Sequence, residues 1–245
     1  MKIFDILKRQ HNENTAAQAV LNQTADYWMT PTQWKELLDE VLSPILAREL
    51  GLQYLGNYIW AGAWDNHRRK VVRVFLMNQS GGTLQWGWCF DFVPHLSGKN
   101  LVYRRTDKSI GVHIWELPEG FISGEPGSFK RMSTIILSYG SNRELITDAY
   151  KKTVIHLLPD IKAYFMKTEN AENMLIEVKN KSNNNYYQFA DGLQLGICGA
   201  FLSAAMGYKE QGKTILSALE FREDYTEIEQ KLIERLEQQA PIYTS

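Results

Sequence analysis

The chain has 245 residues, of which 44% are hydrophobic and 22% are charged, and its formal net charge is −1 at pH 7. This length suits one large domain or two small ones with a substantial core. The near-neutral charge argues against a generic nucleic-acid or membrane-surface binder, because either would need a basic excess.

The sequence shows little sign of a secretory signal, a membrane-spanning helix or disulfide bonds. The first residues carry one short apolar patch that Asp5 interrupts, too weak for a secretory signal core. No segment approaches ~18 uninterrupted apolar residues, so we expect no membrane-spanning helix. Cys89 and Cys198, the two cysteines of the sequence, lie in apolar runs, where a free cysteine acts as a small hydrophobe. We therefore expect a cytoplasmic protein without a disulfide framework.

A helix is predicted to begin near Thr30 and to end at Gly51. Threonine is a favoured N-cap residue, and Pro31 suits the first turn. The apolar residues at helical spacing are Trp34, Leu37, Leu38, Val41, Leu42, Ile45 and Leu46. Pro44 lies inside this pattern, so we expect it to kink the helix or divide it.

The pattern then changes to that of strands. β-branched and aromatic runs cover residues 53–61, 70–79, 85–95, 101–104, 109–116 and 132–138, and Gly, Asn, Asp and Pro clusters separate them. This order is typical of an antiparallel meander. The strongest hairpin signal lies within residues 70–95, around the turn residues 80–83. On its second strand Trp86, Trp88, Phe90 and Phe92 share one face, which needs a cover that we expect to be a helix.

From Ser141 onward the pattern is helical. Ser141 and Glu144 form a capping box, and Pro159 interrupts the apolar stripe that follows. Helical patterns also cover residues 171–179, 193–208 and 215–221, with a predicted turn at 209–212, and residues 225–239 suit a charged amphipathic helix. The polar run 181–185 marks a predicted boundary.

These elements predict an α+β fold, with an antiparallel sheet packed against helices and a mostly helical C-terminal half. We place an α+β domain at residues 1–180, with its central antiparallel sheet at about 53–138. Residues 186–245 are predicted to form a helical appendage.

The order of these elements along the chain is similar to that of a known group of domains. Its segments are residues 34–51, 60–64, 71–79, 86–95, 154–165 and 171–175. In them the chain resembles a group of uncharacterised bacterial domains, some of which are linked to immunity proteins that neutralise polymorphic toxins. The resemblance is one of pattern over about residues 30–179, without an invariant chemical motif. It implies an α+β domain that binds a protein, with a toxin as partner, and it carries over no catalytic residue.

A basic and aromatic cluster is the candidate partner-binding surface. Its residues are Trp60, Trp64, Arg68, Arg69, Arg104, Arg105 and Trp115. Arginines among aromatics can anchor an acidic protein or clamp nucleic acid, and the neutral charge of the chain favours the protein. Two plainer interpretations stay open: a solvated strand edge whose charges oppose aggregation, and a surface that forms a homodimer.

A second pattern suggests a different function. Asp160, Glu177 and Lys179 have the form of the PD-(D/E)xK nuclease motif, in which two carboxylates hold magnesium and a lysine orients the attacking water. That chemistry needs the carboxylates on adjacent strands, whereas both lie in helical patterns, where solvent-facing charges are the simpler interpretation. No glycine-rich phosphate loop, zinc-ligand spacing or nucleophile elbow occurs. We therefore predict a non-catalytic protein-binding domain without cofactor or metal, with a metal-dependent nuclease as the alternative.

Overall fold

The fold is α+β. The computed structural model describes residues 29–77, 81–118, 136–137, 143–183, 192–221 and 225–243. The helices in this part are α1 (Pro31–Leu50), α2 (Arg143–Lys167), α3 (Ala171–Asn183), α4 (Gly192–Ala205), α5 (Lys209–Ser217) and α6 (Thr226–Gln238). The strands are β1 (Gln53–Gly56), β2 (Ile59–Ala61), β3 (Arg68–Met77), β4 (Gly81–Phe90), β5 (Pro94–Ser97), β6 (Asn100–Tyr103), β7 (Ile114–Glu116) and β8 (Ile136–Leu137).

Helix α1 begins and ends as predicted. The Thr30 hydroxyl accepts from the Gln33 backbone N–H at 3.2 Å, and the Gln33 side chain accepts from the Thr30 N–H at 2.9 Å. Gly51 closes the helix with φ 70°, a conformation that favours glycine. All seven apolar residues of the predicted stripe are buried. The predicted division at Pro44 is wrong, because this residue lies on the exposed side while the buried stripe holds one continuous helix.

The main sheet is antiparallel, in the order β1-β2-β3-β4-β7, and β8 also pairs with β4. Strands β5 and β6 form a separate hairpin. The predicted strand at 53–61 is in fact two strands, which turn at Asn57 and Tyr58 with φ of 50° and 61°. A two-residue turn with both φ values positive is of the type that suits hairpins, and the sequence hid it because the second residue is tyrosine instead of glycine. The predicted strand at 85–95 ends at Phe90, and that at 109–116 shortens to β7.

The two faces of the sheet are covered differently. The helix-covered face presents large apolar side chains to the helices, and the four aromatics Trp86, Trp88, Phe90 and Phe92 are each 5% exposed or less, as the sequence predicts. The loop-covered face packs Ala61, Val71, Cys89 and Ile110 under residues 104–113. Gly87 allows this close packing, because a Cβ there would lie 2.0 Å from the Ile114 carbonyl oxygen.

The C-terminal helices belong to the same hydrophobic core as the sheet. Helix α3 packs against β7 and α4, and α4 packs against α5, α6 and β5. The predicted turn at 209–212 is wrong: the chain turns at Gly207, with φ 87°, and Gly212 lies inside α5. A Cβ on Gly212 would lie 2.7 Å from the Ala200 carbonyl oxygen, so this glycine brings α5 close to α4. The division of the chain near residues 180–186 stays a prediction.

Several predictions fall outside the described residues. They are the N-terminal apolar patch, the capping serine Ser141, the turn residue at position 80 and the end of the polar run 181–185. Within the residues that are described, no helix combines the length and apolarity needed to cross a membrane.

Candidate functional site

The structure divides the predicted basic and aromatic cluster between the two faces of the sheet. Trp60 lies on the helix-covered face and is 0% exposed. Its indole N–H donates to the Ser43 hydroxyl at 2.7 Å, which ties β2 to α1. Trp60 is therefore a core residue and offers no surface to a partner.

Trp64 and Arg69 contact each other on the loop-covered face. The guanidinium carbon of Arg69 lies 4.4 Å from the Trp64 ring centroid. Its Nη1 donates to the Asp107 carboxylate at 2.6 Å, and its Nη2 to the Thr106 carbonyl oxygen at 3.4 Å. Since Arg69 is 3% exposed, these contacts fasten residues 104–113 onto the sheet and leave little of this side chain for a partner.

The other three residues of the loop-covered side are more open. The half-buried side chain of Arg104 runs over Gly111, where a Cβ would lie 2.8 Å from its Cδ. Arg105 is exposed; its Nε donates to the Asp91 carbonyl oxygen at 2.5 Å, and its guanidinium carbon lies 4.1 Å from the Tyr103 ring centroid. Trp115 is half-buried on β7.

Arg68 lies apart from these residues, in a cleft on the helix side of the sheet. The cleft has a volume of about 370 Å³ and opens between the end of α1, the start of β3 and the C-terminal half of α2. Its charged lining includes Glu49, Arg68, Lys70 and Lys162, and its aromatic lining is Trp88 and Phe165. We name it the charged cleft.

Two cations of the charged cleft lie on aromatic rings. The guanidinium carbon of Arg68 is 4.9 Å from the Trp88 ring centroid, and the Lys70 ammonium nitrogen is 5.4 Å from the Phe165 ring centroid. Residues two apart on a strand project to the same side, so both charges enter the cleft together. Within the described residues neither cation forms an ion pair with a carboxylate, whereas Lys162 binds Glu49 at 2.7 Å.

Arg68 is held in place with hydrogen-bonding capacity unused. Its Nη1 contacts the Met174 sulfur at 3.8 Å, a weak acceptor, and its Nε is buried without an acceptor among the described residues. The ring below it is fixed, because the Trp88 indole N–H donates to the Thr168 hydroxyl at 2.8 Å. A carboxylate that entered the cleft would meet a pre-positioned guanidinium group, the geometry that favours strong charge-assisted bonds.

An exposed apolar stripe on α2 continues from the cleft. Met166 lines the cleft and is 74% exposed, and Ile155 is 58% exposed. Their separation of eleven residues places them on one side of the helix, with Pro159 between them. We name Ile155, Pro159 and Met166 the α2 stripe. It widens the surface around the charged cleft.

The nuclease pattern does not form a metal site in the described structure. Asp160 and Lys179 are exposed on α2 and α3, which are helices where the nuclease chemistry needs adjacent strands. Glu177 is 4% exposed, so the prediction of a solvent-facing charge is wrong for this residue. No group of three or more histidine, cysteine or acidic side chains in the described ranges is placed to hold a metal ion.

Glu177 serves the packing of α3. Its carboxylate binds Lys167 at 2.6 Å and Lys181 at 3.3 Å, and Lys181 also binds Glu116 of β7 at 2.8 Å. Burial raises the pKa of the Glu177 carboxyl, but the hydrogen bonds and charges of the two lysines outweigh burial and hold that pKa below its usual 4.5.

Part of the charged cleft could have been found in the sequence. Alternation along a strand that begins at residue 68 places Arg68 and Lys70 on one side and Arg69 on the other. The contribution of α2 could not be read, because no local pattern tells which helix lies over the start of β3. Comparison with protein-family models, with curated proteins and with solved structures finds no match for this chain.

Proposed function

We propose that this chain is a non-catalytic protein-binding domain whose charged cleft receives an acidic side chain of a partner protein. The observation that carries the proposal is the pair Arg68 and Lys70. These two cations share one side of β3, lie on aromatic rings, and have no carboxylate partner among the described residues. Arginine and aromatic side chains in partly desolvated pockets are the typical anchors of protein interfaces.

The surroundings of the cleft favour a protein over a small ligand. The α2 stripe adds apolar surface beside the cations, and flexible methionine side chains such as Met166 adapt to a partner. Asp65 and Glu169 also line the cleft, so a polyanion meets repulsion there. A partner that presents one carboxylate beside neutral or basic groups fits this arrangement better.

The kind of partner protein is inferred from the resemblance over residues 30–179. Since the similar bacterial domains include proteins linked to toxin immunity, we propose a toxin as the protein that the chain binds and neutralises. The net charge of −1 supports a protein over a nucleic acid, which would need a basic surface.

The test is affinity capture of the tagged chain from a lysate of its source organism, with mass spectrometry of proteins that co-elute at near-equal amount. The cleft variant is Arg68→Gln combined with Lys70→Gln. The matched control is Lys151→Gln combined with Lys179→Gln, which removes the same charge from exposed positions on α2 and α3. We expect one dominant partner for the wild type and the control. The cleft variant should bind the purified partner at least about tenfold more weakly.

Two results would contradict the proposal. One is a partner that the cleft variant binds as tightly as the wild type does. The other is a defined catalytic turnover by the isolated chain, including magnesium-dependent cleavage of nucleic acid that Glu177→Ala abolishes. Equal thermal unfolding of the cleft variant and the wild type would show that weaker binding does not come from a damaged fold.

A further inference from the structure

A second group of cationic side chains lies on the loop-covered face, on the opposite side of the sheet from the charged cleft. Arg69 and Arg73 project from this side of β3, and Arg73 is the register partner of Gln85 in β4. Arg104 lies over Gly111 on the same side. Three guanidinium groups therefore share this face. Among the described residues, one of them, that of Arg69, pairs with a carboxylate, which belongs to Asp107.

Gln85 carries, beside Arg73, a donor that has no acceptor among the described residues. The side chain is 0% exposed, and its Oε1 accepts a hydrogen bond from Arg73 Nε. Its Nε2 is buried with no acceptor among the described residues. Both amide atoms are bonded to the same carbon, so this donor lies beside the Arg73 guanidinium. Buried donors without acceptors are rare in folded proteins, and each needs a physical reason.

The positive charges of these residues also favour an anion as ligand. Burial lowers the pKa of Arg73, and the positive charge of Arg104 lowers it further. The Nε of Arg69 is also buried without an acceptor. Every unsatisfied group named here is a donor or a cation, and an anion supplies what such groups need.

We infer that Arg73, Arg104 and Gln85 form a binding site for an oxyanion, a phosphate or carboxylate group carried by a ligand. Planar guanidinium groups match the oxygen spacing of both groups and bind them with two parallel hydrogen bonds. The Gln85 amide adds a neutral donor next to them. The site does not depend on the proposed partner of the charged cleft, because Arg68 and Lys70 project from the other side of β3.

The test is a titration of the full ¹⁵N-labelled chain with sodium phosphate and, separately, with sodium acetate, at ionic strength held constant with sodium chloride. The signals observed are the Nε–H groups of the arginines and the side-chain amide of Gln85. We expect saturable shifts at Arg73 and Gln85 with one oxyanion and none with chloride. Saturation by phosphate alone assigns a phosphate group, and saturation by acetate assigns a carboxylate.

Two variants localise the effect. Arg104→Gln removes a charged donor of the site and should raise the dissociation constant about tenfold. Lys108→Gln removes the same charge from an exposed position of the same segment and should leave the constant within about twofold. Absence of saturation with both oxyanions, or equal weakening by both variants, overturns the inference. If Arg104→Gln does not fold, the titration of the wild type still decides.

Discussion

The two faces of the central sheet differ in the side chains that they bury. On the helix-covered face large side chains, among them Trp60, Trp86 and Phe90, are buried almost completely against helices. On the loop-covered face a small cluster around Val71 and Cys89 shares the surface with arginines. The difference shows how one sheet divides its tasks. One face supplies most of the apolar burial that stabilises the fold, and the other packs arginines beside a small apolar cluster.

Both faces hold buried polar groups, and on each face some of these groups lack an acceptor in the described structure. On the helix-covered face the indole N–H groups of Trp60 and Trp88 donate to Ser43 and Thr168 at 2.7 and 2.8 Å. The Trp86 indole nitrogen on the helix-covered face and the Gln85 amide nitrogen on the loop-covered face are both buried without an acceptor in the described structure. A satisfied buried donor stabilises a core, whereas an unsatisfied one needs a physical reason. Gln85 differs from Trp86 in that its side chain bonds the guanidinium group of Arg73.

The largest expected effect is on the helix-covered face. Trp60→Ala removes a fully buried ring and its bond to Ser43, so we expect the free energy of unfolding to fall by about 3–5 kcal/mol. Trp64→Ala, at a half-buried ring on the other face, is the control and should cost about 1–2 kcal/mol. Urea unfolding measures both. Equal losses would remove the distinction between the two faces.

A smaller effect is expected at the ion pairs that join α3 to β7, in which Lys181 bonds both Glu177 and Glu116. Glu177→Gln removes the carboxylate that binds Lys167 and Lys181, and we expect a loss of about 1–3 kcal/mol at pH 7. The pKa of Glu177 in the fold lies below its usual 4.5, so the ionised group stabilises the fold above that pH. This contribution disappears as the pH falls through the folded pKa.

The difference between the wild type and Glu177→Gln should therefore be complete at neutral pH and shrink below about pH 4.5, as measured by urea unfolding at several pH values. Glu172→Gln, at an exposed position of the same helix, is the control and should change stability by less than about 0.5 kcal/mol. A loss that is independent of pH would show that packing of the amide, and not the charge of Glu177, explains the effect.

The sequence predicts the helix-covered face better than the loop-covered one. Period and capping identified the buried stripe of α1 and the aromatic row of β4, because both patterns are local and dominated by burial. The sequence places Trp60 in a binding surface because arginines and aromatic residues lie close together along this part of the chain. Its pairing with β3 and its position under α1 depend on the turn at Asn57 and Tyr58, which has no strong sequence signal.

The candidate sites were harder to predict because they combine distant segments. The charged cleft joins residues of α1, β3, β4 and α2, and the oxyanion site joins β3, β4 and the segment after β6. The basic run 67–70 signalled charge, but strand alternation sends its members to opposite sides of the sheet. Arg73 and Gln85 carried no signal, since single polar residues in apolar strands are common.

The smallest expected effect is on the loop-covered face, at the buried Arg69. Arg69→Met replaces the guanidinium group on the Trp64 ring by an apolar side chain, and it removes a desolvated charge whose Nε has no acceptor in the described structure. The Asp107 carboxylate left behind is 65% exposed, so water replaces its partner. Replacement of a buried ion pair by an apolar side chain of similar volume is often neutral, and we expect a change of less than about 1 kcal/mol in urea unfolding. Arg69→Ala, which also removes the contact with Trp64, should cost more. A loss above about 2 kcal/mol in Arg69→Met would contradict this expectation and show that the Arg69 ion pair stabilises the loop-covered face.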